Sequence, residues 1–287
     1  MRIWGLKDEW TLGHEGDITW IRAGGLGDEA WATFAADYQL HPLAVEDVRN
    51  PRQRPKLEVI GEETIFILRL PDNTQVGVFR GENFVVSASN KLLPQLNAIE
   101  EKLTTIRSVD ALFHEILDRL FDAWFPYLDE FEQRVEEVED RCLLRASQDD
   151  LLEIHDLKKA SLQARKQLLP MRDAAVALAR LPWPPEAAPY FADLADHAVR
   201  LVERNEHVRE VAKVAQDSWN ATLANGQNAV MKRLTVVAGL LLVPSLLAGL
   251  GGMNFEGFPA WDYWTVTLSI VGFAVIGFAI AFRKRWI

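Results

Sequence analysis

Near the C-terminus, Gly252, Met253 and Asn254 are followed closely by two acids, Glu256 and Asp262. Together they supply what the mouth of a cation path needs. Glycine lets backbones approach one another, and the Asn amide offers a neutral oxygen. One such oxygen holds an ion poorly, but a symmetric ring of several orients a hydrated cation without trapping it. Carboxylates at Glu256 and Asp262 raise the local cation concentration within a screening length of about 8 Å. Counting back along one helical face gives Gly249, Ser245, Leu242, Ala238, Thr235 or Leu234, Met231, Asn228, Ala224, Ala221 and Asp217. This stripe is small or polar with a few apolar constrictions, and Val236, Val237, Leu240, Val243 and Leu247 lie opposite it. Close helix packing accounts for such a stripe as readily as the lining of an ion path does. On the second reading, Met231, Leu234 and Leu242 close the path by dewetting.

The elements that must position these residues are two apolar segments. Leu234 to Phe255 is an uncharged run of 22 residues and Tyr263 to Phe282 one of 20. Each is long enough to cross a hydrocarbon core of about 30 Å as a helix. Lys232 and Arg233 precede the first and Arg283, Lys284 and Arg285 follow the second, so both termini are expected in the cytoplasm and the short loop outside. Upstream, no proline interrupts the chain between Pro189 and Pro244. A single helix is expected to run from the charged region into the first span, and a helix that long needs lateral partners.

The first 90 or so residues mix strand-like and helical runs. Thr64 to Leu70 and Gln75 to Arg80 read as strands joined by Pro71-Asp72-Asn73, and Asn83 to Ala88 as another. Helices are expected from Asp28 and from Pro42 onward, over Val109 to Leu143 with an acidic face, and from Asp149 to Ala179. The expected partition is an α/β part over 1–90, a helical part over 91–188, a stalk helix over 189–233, a first membrane helix over 234–251 lining a pore, an outer loop over 252–262, a second membrane helix over 263–282 and a basic tail over 283–287.

A net charge of −10 argues against a nucleic-acid binder. The one cysteine, Cys142, forms no intrachain disulfide. No phosphate loop, nucleophile elbow or HExxH motif is present, so no enzyme chemistry and no bound cofactor are expected. None is required for transport, because a divalent cation crossing 100 mV gains roughly 4.6 kcal/mol. The histidines His14, His41, His114, His155, His197 and His207 lack the close spacing of a zinc site. His41 reads as a helix-start residue.

The GMN tripeptide at 252–254, the preceding MKRLTVVAGLLLVPSLLAG, the basic end RKRW, HPLAVEDVRNPRQRPKLE at 41–58 and PYFADLADH at 189–197 together resemble the CorA family of metal-ion transporters. The resemblance implies an inner-membrane, funnel-shaped homopentamer. Each subunit would have an α/β/α cytoplasmic domain, a long stalk helix and two C-terminal membrane helices. It implies that Asn254 contacts the hydrated ion, with Gly252 and Met253 contributing backbone. Asn228, Met231, Leu234, Ala238, Leu242 and Ser245 would line the pore, and Asp217 would face the cytoplasmic lumen. Asp193 falls where relatives carry an acidic partner in a regulatory metal site between subunits, with Asp72 as its counterpart. The transported ion would be Mg²⁺, with Co²⁺ or Ni²⁺. Gly251 stands where an aromatic is common, and the loop FEGFPAWD lacks a familiar ending, which keeps open the related ZntB branch and proton-linked Zn²⁺ transport. A non-conducting, membrane-anchored metal sensor is the more distant alternative.

Overall fold

The computed structural model describes residues 1–6, 10–12, 16–25, 28–50, 53–251 and 263–284. The chain divides into two compact units. The first comprises Met1–Asp140 with Gln148–Gln216, and the second Arg141–Ser147 with Asp217–Ile287.

The first unit is built on a sheet of β1 (Arg2–Leu6), β2 (Trp10–Leu12), β3 (Ile18–Gly24), β4 (Lys56–Ile60), β5 (Glu63–Arg69), β6 (Gln75–Arg80) and β7 (Phe84–Ser89). Their order is β2-β1-β3-β7-β6-β5-β4, with only β3 and β7 parallel. Strand alternation sends successive side chains to opposite faces. Trp20, Phe66, Leu68, Val76, Val78 and Val85 enter one hydrophobic cluster, while Ile21, Ala23, Ile65, Ile67, Phe79 and Val86 enter another. The second cluster is closed by α1 (Asp28–Asp37) and α2 (Pro42–Arg49). Helix α2 starts with Pro42, and the His41 side chain accepts from Leu43 N at 3.3 Å, as its helix-start reading requires. The helix rides so close to β6 that a Cβ on Gly77 would collide with Val48.

The first cluster is closed by α3 (Asn97–Lys102), α4 (Val109–Asp122), α5 (Trp124–Leu144), α6 (Gln148–Ala179) and the first part of α7 (Ala188–Gly251). Helices on both faces of the sheet give the expected α/β/α layering. Side chains such as Phe66, Phe113 and Phe191, all fully buried, each contribute about 1.5–3 kcal/mol. The single helix expected over Val109 to Leu143 is instead two, parted at Ala123. Pro126 explains the break, since in a continuous helix its ring would strike the carbonyl of Asp122. At the new start Pro126 lies in the first turn of α5, where its missing N–H costs nothing.

In the second unit, α7 continues without interruption to Gly251 and α8 spans Tyr263–Arg283. Among the described residues α7 is the one helix long and apolar enough to cross a bilayer, and α8 carries a shorter apolar stretch, Thr267–Arg283. Between 223 and 249 of α7 the half-buried residues are Val236, Leu240, Val243 and Pro244; on α8 they are Thr267, Ile270, Gly272, Ala274 and Gly277, ending in buried Ala281. Val236, Leu240 and Val243, and Thr267, Ile270, Ala274, Gly277 and Ala281, recur at three and four residues, and Gly277 of α8 admits Leu240 of α7. Hydroxyls in these helices turn back on the backbone: Thr235 Oγ1 donates to Met231 O at 2.9 Å, Ser245 Oγ to Leu241 O at 2.7 Å and Ser269 Oγ to Thr265 O at 2.8 Å. Such bonds satisfy the hydroxyl proton without water.

Candidate functional site

The stripe residues Asp217, Asn228, Met231, Leu234, Thr235, Ala238, Leu242, Ser245 and Gly249 all lie on α7, and every one is exposed in the single chain. Met231 is 61% exposed, Leu234 59% and Leu242 66%, so the apolar members are as bare as the polar ones. The opposite face divides: Val236, Leu240 and Val243 are half covered, whereas Val237 and Leu247 are exposed. Because Thr235 and Ser245 spend their protons on carbonyls one turn back, their oxygens keep lone pairs for a cation or its water. Gly252, Met253, Asn254, Glu256 and Asp262 lie outside the described residues.

A second constellation joins α4 to α7. Asp118, Asp122 and His197 each offer a ligand atom, and these atoms lie within 4.8 Å of one another. His197 Nδ1 is 3.1 Å from Asp118 Oδ1, and its Nε2 is 3.4 Å from Asp193 Oδ2. The imidazole thus lies between two carboxylates, of which Asp193 is 60% exposed and open to water. Helix periodicity builds the arrangement: Asp118 and Asp122 are one turn apart on α4, as are Asp193 and His197 on α7. Burial, and then the neighbouring Asp118 charge, push Asp122 above the usual aspartate value, with Arg119 opposing. Burial lowers His114 on the same face of α4, against the pull of Asp118, Glu115 and Asp193. One histidine nitrogen with two carboxylates is a donor set for a divalent ion.

Asp193 thus has His197 as a partner within its own chain. Asp72 instead accepts from Lys91 Nζ at 2.6 Å and from Thr74 N at 2.9 Å. Burial would raise Asp72, but these bonds outweigh it and hold the carboxyl below its ordinary value. Separation in sequence hid Asp118 and Asp122: His197 and Asp118 are 79 positions apart. The carboxylate pair at helical spacing was the one signal available. The acidic face of α5 is partly neutralised by Arg204, which meets Asp129 at 2.6 Å and Glu132 at 3.3 Å.

The model of the family described as CorA-like Mg²⁺ transporter protein matches residues 15–285. The cobalt/magnesium transport protein CorA of Thermotoga maritima is 26% identical, over 93% of this chain and 82% of its own length. The zinc transport protein ZntB of Yersinia pseudotuberculosis is 22% identical, over 91% and 86%. Among solved structures, the CorA magnesium transporter of Methanocaldococcus jannaschii superposes with a TM-score of 0.83 at 20% identity, covering 100% of this chain and 98% of the other, which shows a common fold. With the family model matched over nearly its whole length, the chain belongs to the CorA family of divalent-cation transporters.

Proposed function

We propose that five copies of this chain surround an ion path lined by α7, and that the assembly admits Mg²⁺, with Co²⁺ and Ni²⁺, down the membrane potential. Residues 234–251 and 263–282 serve as its two membrane helices, residues 189–233 as the stalk, and both termini lie on the cytoplasmic side of the inner membrane. Asn254, with Gly252 and Met253, forms the outer ring, and Glu256 and Asp262 concentrate cations before it. The observation that carries this reading is the one-sided cover of α7 within 234–251: Val236, Leu240 and Val243 are half covered, with Leu240 against Gly277 of α8, and Ala238, Leu242, Ser245 and Gly249 stay bare. A bare face on a membrane segment calls for further copies, and Ala238, Ser245 and Gly249 on it suit close approach, water and ions better than lipid.

Cytosolic metal is the natural regulator. Asp118, Asp122 and His197 hold it within a subunit, and Asp193, with Asp72 of a neighbouring copy, extends the site across the interface. Binding there favours the closed state, which needs only a modest difference in affinity between states. The histidine nitrogen also favours a second reading, proton-linked Zn²⁺ transport. Uptake into vesicles carrying the purified protein separates the two. Mg²⁺ uptake driven by voltage and indifferent to a pH gradient supports the first; Zn²⁺ uptake that requires the pH gradient and resists Mg²⁺ competition rejects it for the second.

A further inference from the structure

We infer that the first compact unit binds a linear polyamine in the cleft between α1 and the turns at one end of the sheet. The cleft has a volume of about 1100 Å³. The end of α1, the β4–β5 turn and the β6–β7 turn wall it and bring Phe34, Tyr38, Glu63 and Phe84 to one place. None of these residues takes part in the ion path, so the site stands independently of the transporter reading.

Two features of the lining select the ligand. The first is a row of rings. Phe34 and Tyr38, one helical turn apart, have ring centres 5.1 Å from each other, and the Tyr38 and Phe84 centres are 5.9 Å apart. Tyr38 and Phe84 are half-buried, which leaves ring surface for a guest. Gly81 makes room for the third ring: a Cβ there would lie 2.4 Å from Phe84, which folds back over the β6–β7 turn. The second feature is charge. The charged side chains of the lining are Asp37, Glu62, Glu63 and Glu82, all acidic. Among the described residues none of the four is ion-paired with a Lys or Arg, whereas Asp47, Glu100, Asp110 and Glu115 elsewhere in the unit all are. Glu63 Oε2 receives a long bond from His41 N at 3.5 Å, and burial pushes this carboxyl above the usual glutamate value against the pull of His41. Helix α1 has no basic residue in its last turn, so the negative end of its dipole adds to the field. The amino group of Met1 is the lone offset among the described lining residues.

Unpaired carboxylates beside aromatic faces suit ammonium groups, which the rings attract and the carboxylates bond. A bare metal ion fits poorly. Among the described residues the one group of three ligand atoms near enough to share an ion is Asp118, Asp122 and His197, so the four carboxylates of the cleft do not converge on a point. Charges spread around a space of this size match several ammonium groups joined by methylenes, whose apolar links lie against the rings.

Titration calorimetry of spermine into the full chain in an uncharged detergent tests the site. One spermine should bind per subunit. Glu63→Gln should weaken binding about tenfold, and Tyr38→Leu, which keeps apolar bulk, about threefold. Asp37→Asn combined with Glu82→Gln changes exposed positions only and should weaken it about fivefold, so the site stays testable where thermal unfolding shows that Glu63→Gln or Tyr38→Leu disturbs the fold. Mg²⁺ should compete no better than Na⁺ at equal ionic strength. Absence of saturable binding, or an affinity unchanged in folded Tyr38→Leu and in the Asp37, Glu82 pair, overturns the proposal. So does an affinity that falls for the exposed pair but not for folded Glu63→Gln or Tyr38→Leu, which would reduce the cleft to diffuse surface attraction. Displacement of spermine by Mg²⁺ well beyond the effect of Na⁺ would overturn it in favour of a metal site.

Discussion

Leu240 of α7 fills the space left by the missing side chain of Gly277 on α8, so that a Cβ at Gly277 would overlap the leucine Cδ2. Ala281, one turn further, is 2% exposed and continues the notch. Gly277→Val should therefore force the helices apart and cost about 1–3 kcal/mol by overpacking. Gly272→Ala on the same helix meets nothing within 4 Å and should be nearly neutral. Thermal unfolding in detergent checks both; equal midpoints for the two variants would contradict this packing.

Asp122 predicts how metal and pH act together. Its folded value lies above the ordinary aspartate value, so the fold favours the protonated form. That contribution is complete below the ordinary value and is lost as pH rises through the folded one, which leaves a charged Asp122 at neutral pH as a cost that a cation relieves. Saturating Mg²⁺ or Co²⁺ should raise the unfolding midpoint at about pH 7, by the equivalent of about 2.7 kcal/mol at a hundredfold excess over Kd. The increment should shrink as pH falls toward the raised Asp122 value, and Asp122→Asn should be more stable without metal yet gain less from it. An increment that ignores pH and survives in Asp122→Asn with His197→Ala would remove the site.

Ser161 and Asn205 form a polar pair inside the helical layer. The hydroxyl donates to Asn205 Oδ1 at 2.9 Å, and the two residues are 0% and 1% exposed. Asn205→Ala leaves the buried hydroxyl only its long 3.4 Å contact with the main-chain carbonyl at 205 and should cost about 1–3 kcal/mol. Adding Ser161→Ala should return part of that loss, because no poorly paired buried donor remains. Denaturant titration of the double-mutant cycle measures it, and strictly additive losses would show that the pair is not coupled.

Much of the fold was legible because its signals are local. Strands β5 and β6 announce themselves by short runs rich in apolar residues and by the Asp72-Asn73 turn between them, where Asn73 takes a φ of 68°. Prolines mark the starts of α2 and α5, although the break at Ala123 goes unnoticed unless Pro126 is set against the carbonyl of Asp122. Pro170 lies inside α6 without ending it, since packing on both sides of that turn holds the helix. Strands β1 to β4 were harder: β1 and β3 pair with each other, but β3 joins β7 across some 65 residues, a pairing that no local pattern encodes. The Asp118, Asp122, His197 cluster was hidden for the same reason. The stripe on α7 was legible from helical spacing, but its bareness follows from where α8 packs.

On the proposed reading, Met231 and Leu242 close the path. Met231→Ser and Leu242→Ser should each raise resting divalent leak several-fold with the assembly intact, by wetting an apolar constriction. Unchanged leak in correctly inserted protein would dismiss the gate assignment.

The central claim is that identical subunits enclose a conduit whose outer ring includes Asn254. Its most direct test is voltage-driven divalent uptake by liposomes containing the purified protein, wild type against Asn254→Ala, with assembly size measured on the same samples. Rapid wild-type uptake, with flux lost and assembly retained in Asn254→Ala, is the predicted result. Liposomes that stay impermeable to every divalent metal, or an Asn254→Ala protein that conducts as well as wild type, would contradict it.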